Sequence, residues 1–175
     1  MRTGDPELFT MNLDGSDVRQ VTKELGYDGG AFFSPDGTKL IFRASRPTTP
    51  EEVAEYKSLI AQDMVQPTKM ELFMCNVDGS DLKQITKLGG ANWAPFMHPS
   101  GNKILFSSNH MSPRGFPFNI FMINVDGTGL EQITFDNAFD SFPMFSFDGK
   151  KIAFSSNRNN GGTRDTNVFV AKWKD

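Results

Sequence analysis

The chain has 175 residues, enough for one domain with a sizeable core. Its 18 basic and 21 acidic residues form no basic block or stripe, which argues against nucleic acid as a partner, and no stretch approaches the roughly 20 apolar residues of a membrane span. The 17 phenylalanines, 16 glycines and 10 prolines favour short strands and tight turns over helices.

The opening residues, MRTGDPELF, contain no apolar export region; a longer parent chain could carry one. An apolar strand, ELFTMNL (7–13), is followed by DGSD (14–17) and VRQVT (18–22). Then come AFF (31–33), SPDG (34–37) and KLIF (39–42). Proline second and glycine fourth suit a type I turn, so SPDG predicts a hairpin. Residues 47–70 break the pattern. Within them TPEEVAEYKSLIAQDMVQP predicts an amphipathic helix of roughly four turns by 3.6 residues per turn. Thr49 is its cap, Pro50 its first residue and Glu52 the capping-box partner, with Val53, Tyr56, Ile60 and Met64 on one stripe and Pro67 at its end. A cover packed over one blade is the favoured reading, and a lid or partner-docking element is the other.

The same units return. ELFMCNV (71–77), DGSD (78–81) and LKQIT (82–86) precede PFM (95–97), HPSG (98–101) and KILF (103–106). NIFMINV (119–125), DGTG (126–129) and LEQIT (130–134) precede PMF (143–145), SFDG (146–149), KIAF (151–154) and NVFVAKW (167–173). Taken alone, NVDGSDLKQIT resembles a calcium loop. Written three times at about 48-residue spacing outside the insertion, it reads as a repeat whose Asp-Gly is a hairpin turn. No glutamate follows at the calcium-loop distance, and the third copy has Gly129 in place of the last acid. Cys75, the single cysteine, lies in LFMCNV and reads as a small buried hydrophobe.

Inner strands that are apolar on both faces, in units of four strands, predict an all-β β-propeller over residues 1–175 with one inserted helix. The motifs SPDG with K-[LI]-x-F, then [LI]-F-x-[MI]-N-x-DG-[ST], then Q-[IV]-T, resemble the TolB-type propeller repeat. That repeat also builds the propellers of the tricorn protease and of oligogalacturonate lyase. The resemblance covers almost everything but 47–70. It implies an extracytoplasmic, bacterial setting and a protein or peptide partner. Such propellers usually close with six or more blades, whereas these motifs supply thirteen strands, three short of four blades. Self-association through incomplete blades is one expected consequence, and membership of a longer propeller is the other.

In a propeller the SPDG and DGSD turns share one face, and ligands gather at the other. Aligned repeats place Asp28, Asn92 and Asp140 at one level there, with Arg46, His110 and Arg158 at a second. Ser45, Asn109 and Asn157 stand beside them. Recurrence in every blade favours loop-tying pairs over ligand contacts. Residues that break the repeat are better binding candidates: Tyr27, Arg43, Trp93, Arg114, Phe139 and Arg164. Aromatics beside arginines suit peptide or sugar recognition, although Trp93 equally suits a packing role. His98 reads as a turn cap on the far face. Without HExxH, CxxC, a histidine pair or GxSxG, no metal, cofactor or catalytic set is expected. The main expectation is a non-catalytic binding module. The alternative is an enzyme acting on an acidic oligosaccharide through Arg46, His110, Arg114, Asp140 and Arg158.

Overall fold

Turn chemistry sets the register of this chain. In the computed structural model, which describes residues 4–112, 115–163 and 165–174, the Gly37 N–H donates to the Ser34 carbonyl at 2.9 Å. The Asp36 carboxylate accepts from the Ser34 hydroxyl, the Thr38 N–H and the Thr38 hydroxyl. These donors hold the Asp36 carboxyl down at about 2. The turn joins β3 (Asp28–Phe33) to β4 (Lys39–Ala44). Its copies join β7 (Asn92–Met97) to β8 (Lys103–Ser108) and β11 (Asp140–Phe145) to β12 (Lys151–Ser156). In HPSG His98 stands at the serine position, and its Nδ1 accepts from the Ser100 N–H at 3.1 Å, so His98 caps its turn.

Among the described residues thirteen strands form four antiparallel sheets. The first sheet pairs β1 (Phe9–Thr10) with β2 (Arg19–Gln20). The second runs β3-β4-β5-β6, adding β5 (Glu71–Asn76) and β6 (Lys83–Gln84). The third runs β7-β8-β9-β10, adding β9 (Asn119–Asn124) and β10 (Glu131–Gln132). The fourth runs β11-β12-β13, ending on β13 (Asn167–Lys172). This is the partial propeller that the repeats predict. The first strands start three residues earlier than AFF, PFM and PMF suggest. Asp28, Asn92 and Asp140 are therefore their first residues rather than loop residues.

Side chains alternate between neighbouring sheets, so each inner strand serves two cores. On β4, Leu40, Phe42 and Ala44 meet Val21 of the first sheet, whereas Ile41 packs with Met97, Ile104 and Phe106 of the third. Leu105, Ile120 and Met122 of the third sheet meet Phe145, Ile152 and Phe154 of the fourth. Cys75 is buried on β5, and burial pushes its thiol up to about 11, in keeping with a packing role.

The motif Q-[IV]-T has a physical reason in each copy. Gln20, Gln84 and Gln132 donate through Nε2 to the carbonyls of Thr22, Thr86 and Thr134. The threonine hydroxyls accept the N–H groups of Leu8, Leu72 and Ile120. Asp78 accepts from the Ser80 N–H and hydroxyl, so its Oδ1 serves the turn. The fourth position of DGSD is left-handed: φ is 54° at Asp17, 54° at Asp81 and 66° at Gly129. Backbone conformation, which aspartate and glycine both tolerate, accounts for the exchange between them.

The helix α1 (Pro50–Ile60) follows β4, with Thr49 as N-cap and a complete Thr49–Glu52 capping box. It is shorter than expected. Asp63 turns left-handed at φ 57°, its N–H bonds Ile60 O, and the Met64 N–H bonds Leu59 O. That is a Schellman closure, so the helix ends before Pro67 and Met64 leaves the stripe for solvent. Tyr56 is the helix residue fully buried against the sheets.

Candidate functional site

Each first strand opens on a buried polar residue: Asp28 at 3% exposure, Asn92 at 0% and Asp140 at 0%. Their N–H groups donate to the carbonyls of Pro6, Met70 and Phe118, stitching each sheet to the one before it. The N–H groups just ahead, on Tyr27, Ala91 and Phe139, donate to Ser45 Oγ, Asn109 Oδ1 and Asn157 Oδ1. Arg46 bonds Asp28 at 2.6 Å, and Arg158 bonds Asp140 and reaches Asp136 at 3.1 Å. In the third sheet the tie is indirect: the Ser108 hydroxyl donates to Asn92 Oδ1 at 2.7 Å and lies 2.8 Å from His110 Nδ1. The three basic residues also cover the same rings in turn, Arg46 on Phe73, His110 on Phe121 and Arg158 on Phe169. Burial pulls the His110 imidazole below its ordinary range, with the Glu71 carboxylate opposing.

A different group lines the inner strands. The ladder sets Gly29 opposite Arg43, Trp93 opposite Ser107 and Ser141 opposite Ser155. After the second residue each of these strands bulges, with left-handed φ at Gly30 (62°), Ala94 (49°) and Phe142 (55°). The Arg43 guanidinium lies 5.7 Å from the Tyr27 ring and 5.8 Å from the Trp93 ring. It donates to the Tyr27 hydroxyl at 3.3 Å, and its Nε is buried without a partner. A Cβ on Gly29 would stand 2.2 Å from that hydroxyl, so the glycine makes room for the tyrosine to fold inward. Trp93 stacks on Phe118 at 4.6 Å, and Phe118 meets Phe139 edge-on at 5.4 Å. Phe116 touches both phenylalanines. One run of rings, Tyr27, Trp93, Phe118 and Phe139, with Arg43 set into it, thus crosses three sheets.

No family model matches the chain. Uncharacterized protein Atu1656 of Agrobacterium fabrum is 26% identical over 102 residues, 58% of this chain and 28% of that protein. Among solved structures, a putative TolB from Agrobacterium tumefaciens superposes with a TM-score of 0.71 at 23% identity, covering 98% of this chain and 54% of that one. TolB from Acinetobacter baumannii superposes at 0.69 and 18% identity, over 95% of this chain and 35% of that one. The fold is that of a TolB-type β-propeller. Oligogalacturonate lyase in complex with manganese shares it at 0.58 and 14% identity, over 99% of this chain and 43% of that one. The chain spans about half the length of the first TolB structure, or less of the other matched proteins.

On the TolB-type scaffold the expected residues divide in two. Asp28, Arg46, Asn92, Asn109, His110, Asp140, Asn157 and Arg158 join blades and loops to one another. Tyr27, Arg43, Trp93 and Phe139 come together in the ring run. Arg114 and Arg164 lie outside the described residues. Among the described residues no group of three or more His, Cys, Asp or Glu side chains is placed to hold a metal. Phe116, Phe118 and Pro67 escape sequence reading, although the Pro67 carbonyl accepts the Trp93 indole N–H at 2.9 Å. GFPFN, two phenylalanines in a loop that is polar in the fourth sheet, is the available signal.

Proposed function

We propose that this TolB-type module binds a protein or peptide through the ring run on its loop face. The observation that carries the reading is Arg43, held between Tyr27 and Trp93 with a buried, unpartnered Nε, beside the Trp93–Phe118 stack. Amphipathic rings and an arginine are the side chains that dominate protein recognition. The reading extends to an extracytoplasmic setting, on the TolB likeness. The polysaccharide-directed alternative is supported less well, since Arg46 and Arg158 are engaged by Asp28 and Asp140 and His110 by Ser108.

Selection of displayed peptides on the purified chain, repeated with Trp93→Ala and Arg43→Ala, tests this. Enrichment of a peptide class that both variants lose is the expected result. Equal retention by both variants, or no enrichment alongside turnover of uronate oligomers, overturns it.

A further inference from the structure

The joints between successive sheets share one design and differ in one group. The residue at or just before the start of β1, β5 and β9 (Glu7, Glu71 and Asn119) aligns with the residue that opens the next sheet's first strand. At the second joint these are Glu71 and Asn92, and the Asn92 amide donates to Glu71 Oε2 at 3.1 Å. At the third joint the positions hold Asn119 and Asp140, one amide and one acid, although there Asn119 Oδ1 accepts from the Thr134 hydroxyl and Asp140 Oδ1 is buried without a partner. The first joint holds two acids, Glu7 and Asp28, whose carboxyl groups meet. Arg46 occupies Asp28 Oδ1, while Asp28 Oδ2 and Glu7 Oε2 are both buried without another partner. Two carboxylates cannot hydrogen-bond; one of them must supply the donor that an amide supplies at the second joint.

We propose that Glu7 and Asp28 share a single proton, carried by Glu7 Oε2 and donated to Asp28 Oδ2, so that the first joint is a pH sensor that loosens when the proton leaves. The assignment of the proton to Glu7 follows from Arg46, which favours charge on Asp28. Among the described residues, Arg46 is the cation that acts on the pair. Arg46 arrives from the segment after β4, Tyr56 from α1 with Asp5 beside it, and Cys75 from β5. Burial raises the Tyr56 phenol and the Cys75 thiol, so both stay neutral as the pair titrates. Burial likewise raises both carboxyls of the pair, more than Thr22 offsets at Glu7 or Arg46 at Asp28.

The folded state therefore binds this proton more tightly than the unfolded chain. The resulting stability is complete below the ordinary glutamate range and is lost as pH rises through the raised value. Thermal melts of the wild-type chain and of Glu7→Gln between about pH 4 and pH 8 read this directly. Glutamine donates at every pH, so the wild type should lose Tm relative to Glu7→Gln as pH rises. Each tenfold difference in proton affinity corresponds to about 3–5 °C in a chain of this size. Should Glu7→Gln fold poorly, a carboxyl ¹³C titration of the wild type decides. One of the two carboxyls should titrate above the ordinary range. Parallel melts, or both carboxyls titrating within the ordinary range, overturn the proposal.

Discussion

Gly15 and Gly79 occupy one position in two copies of the same turn, and both are left-handed, at φ 82° and 85°. Their surroundings differ. A Cβ on Gly15 meets nothing within 4 Å, whereas one on Gly79 would lie 2.1 Å from the Val21 carbonyl of the preceding sheet. Gly15→Ala should cost about 1–2 kcal/mol, the left-handed penalty alone. Gly79→Ala should cost clearly more, because backbone must also shift. Urea unfolding of the two variants checks the ordering, and equal losses would mean that the sheets do not meet there. Sequence reading finds the turn, since Asp-Gly is local chemistry. It does not distinguish the two glycines, because that depends on a chain segment far away. The binding candidates follow the same logic: Trp93 and Arg43 are visible as departures from the repeat, but Phe118 gains meaning only once folding sets it against Trp93.

Helix α1 is the element that the repeat does not require. Its start is legible because a capping box is a short-range pattern, and Thr49 and Glu52 make the expected bonds. Its end is not, because a left-handed aspartate at position 63 stops it before the proline does. Thr49→Ala should cost the helix about 1 kcal/mol. Hydrogen exchange should then quicken across 50–60 and stay unchanged in β7 to β12. Uniform quickening throughout would show that the helix is integral to the sheets rather than laid over them. The strands were legible for a related reason: two-faced apolar segments between Asp-Gly turns leave few alternatives. The bulges were hidden, since alanine and phenylalanine at 94 and 142 give no hint of a positive φ.

For the whole molecule, the outward faces of the first and fourth sheets decide behaviour in solution. Phe9 is 57% exposed on one, and Val168 and Val170 are 73% and 67% exposed on the other. Contiguous apolar sheet surface of this kind seeks cover. This 175-residue chain should self-associate at low micromolar concentration, as light scattering would reveal. A monodisperse monomer would show that these faces are tolerated bare. The interior carries one more consequence. Phe118 offers its ring to Trp93 and Phe139, and its carbonyl accepts the N–H of Asp140 from the next sheet. The proposed recognition surface and the rigidity of the seam therefore meet at one buried residue. On the proposed reading, a guest that settles on the half-buried Trp93 and Phe139 rings flanking Phe118 would clamp the seam between two blades, and resistance to heat becomes a gauge of occupancy.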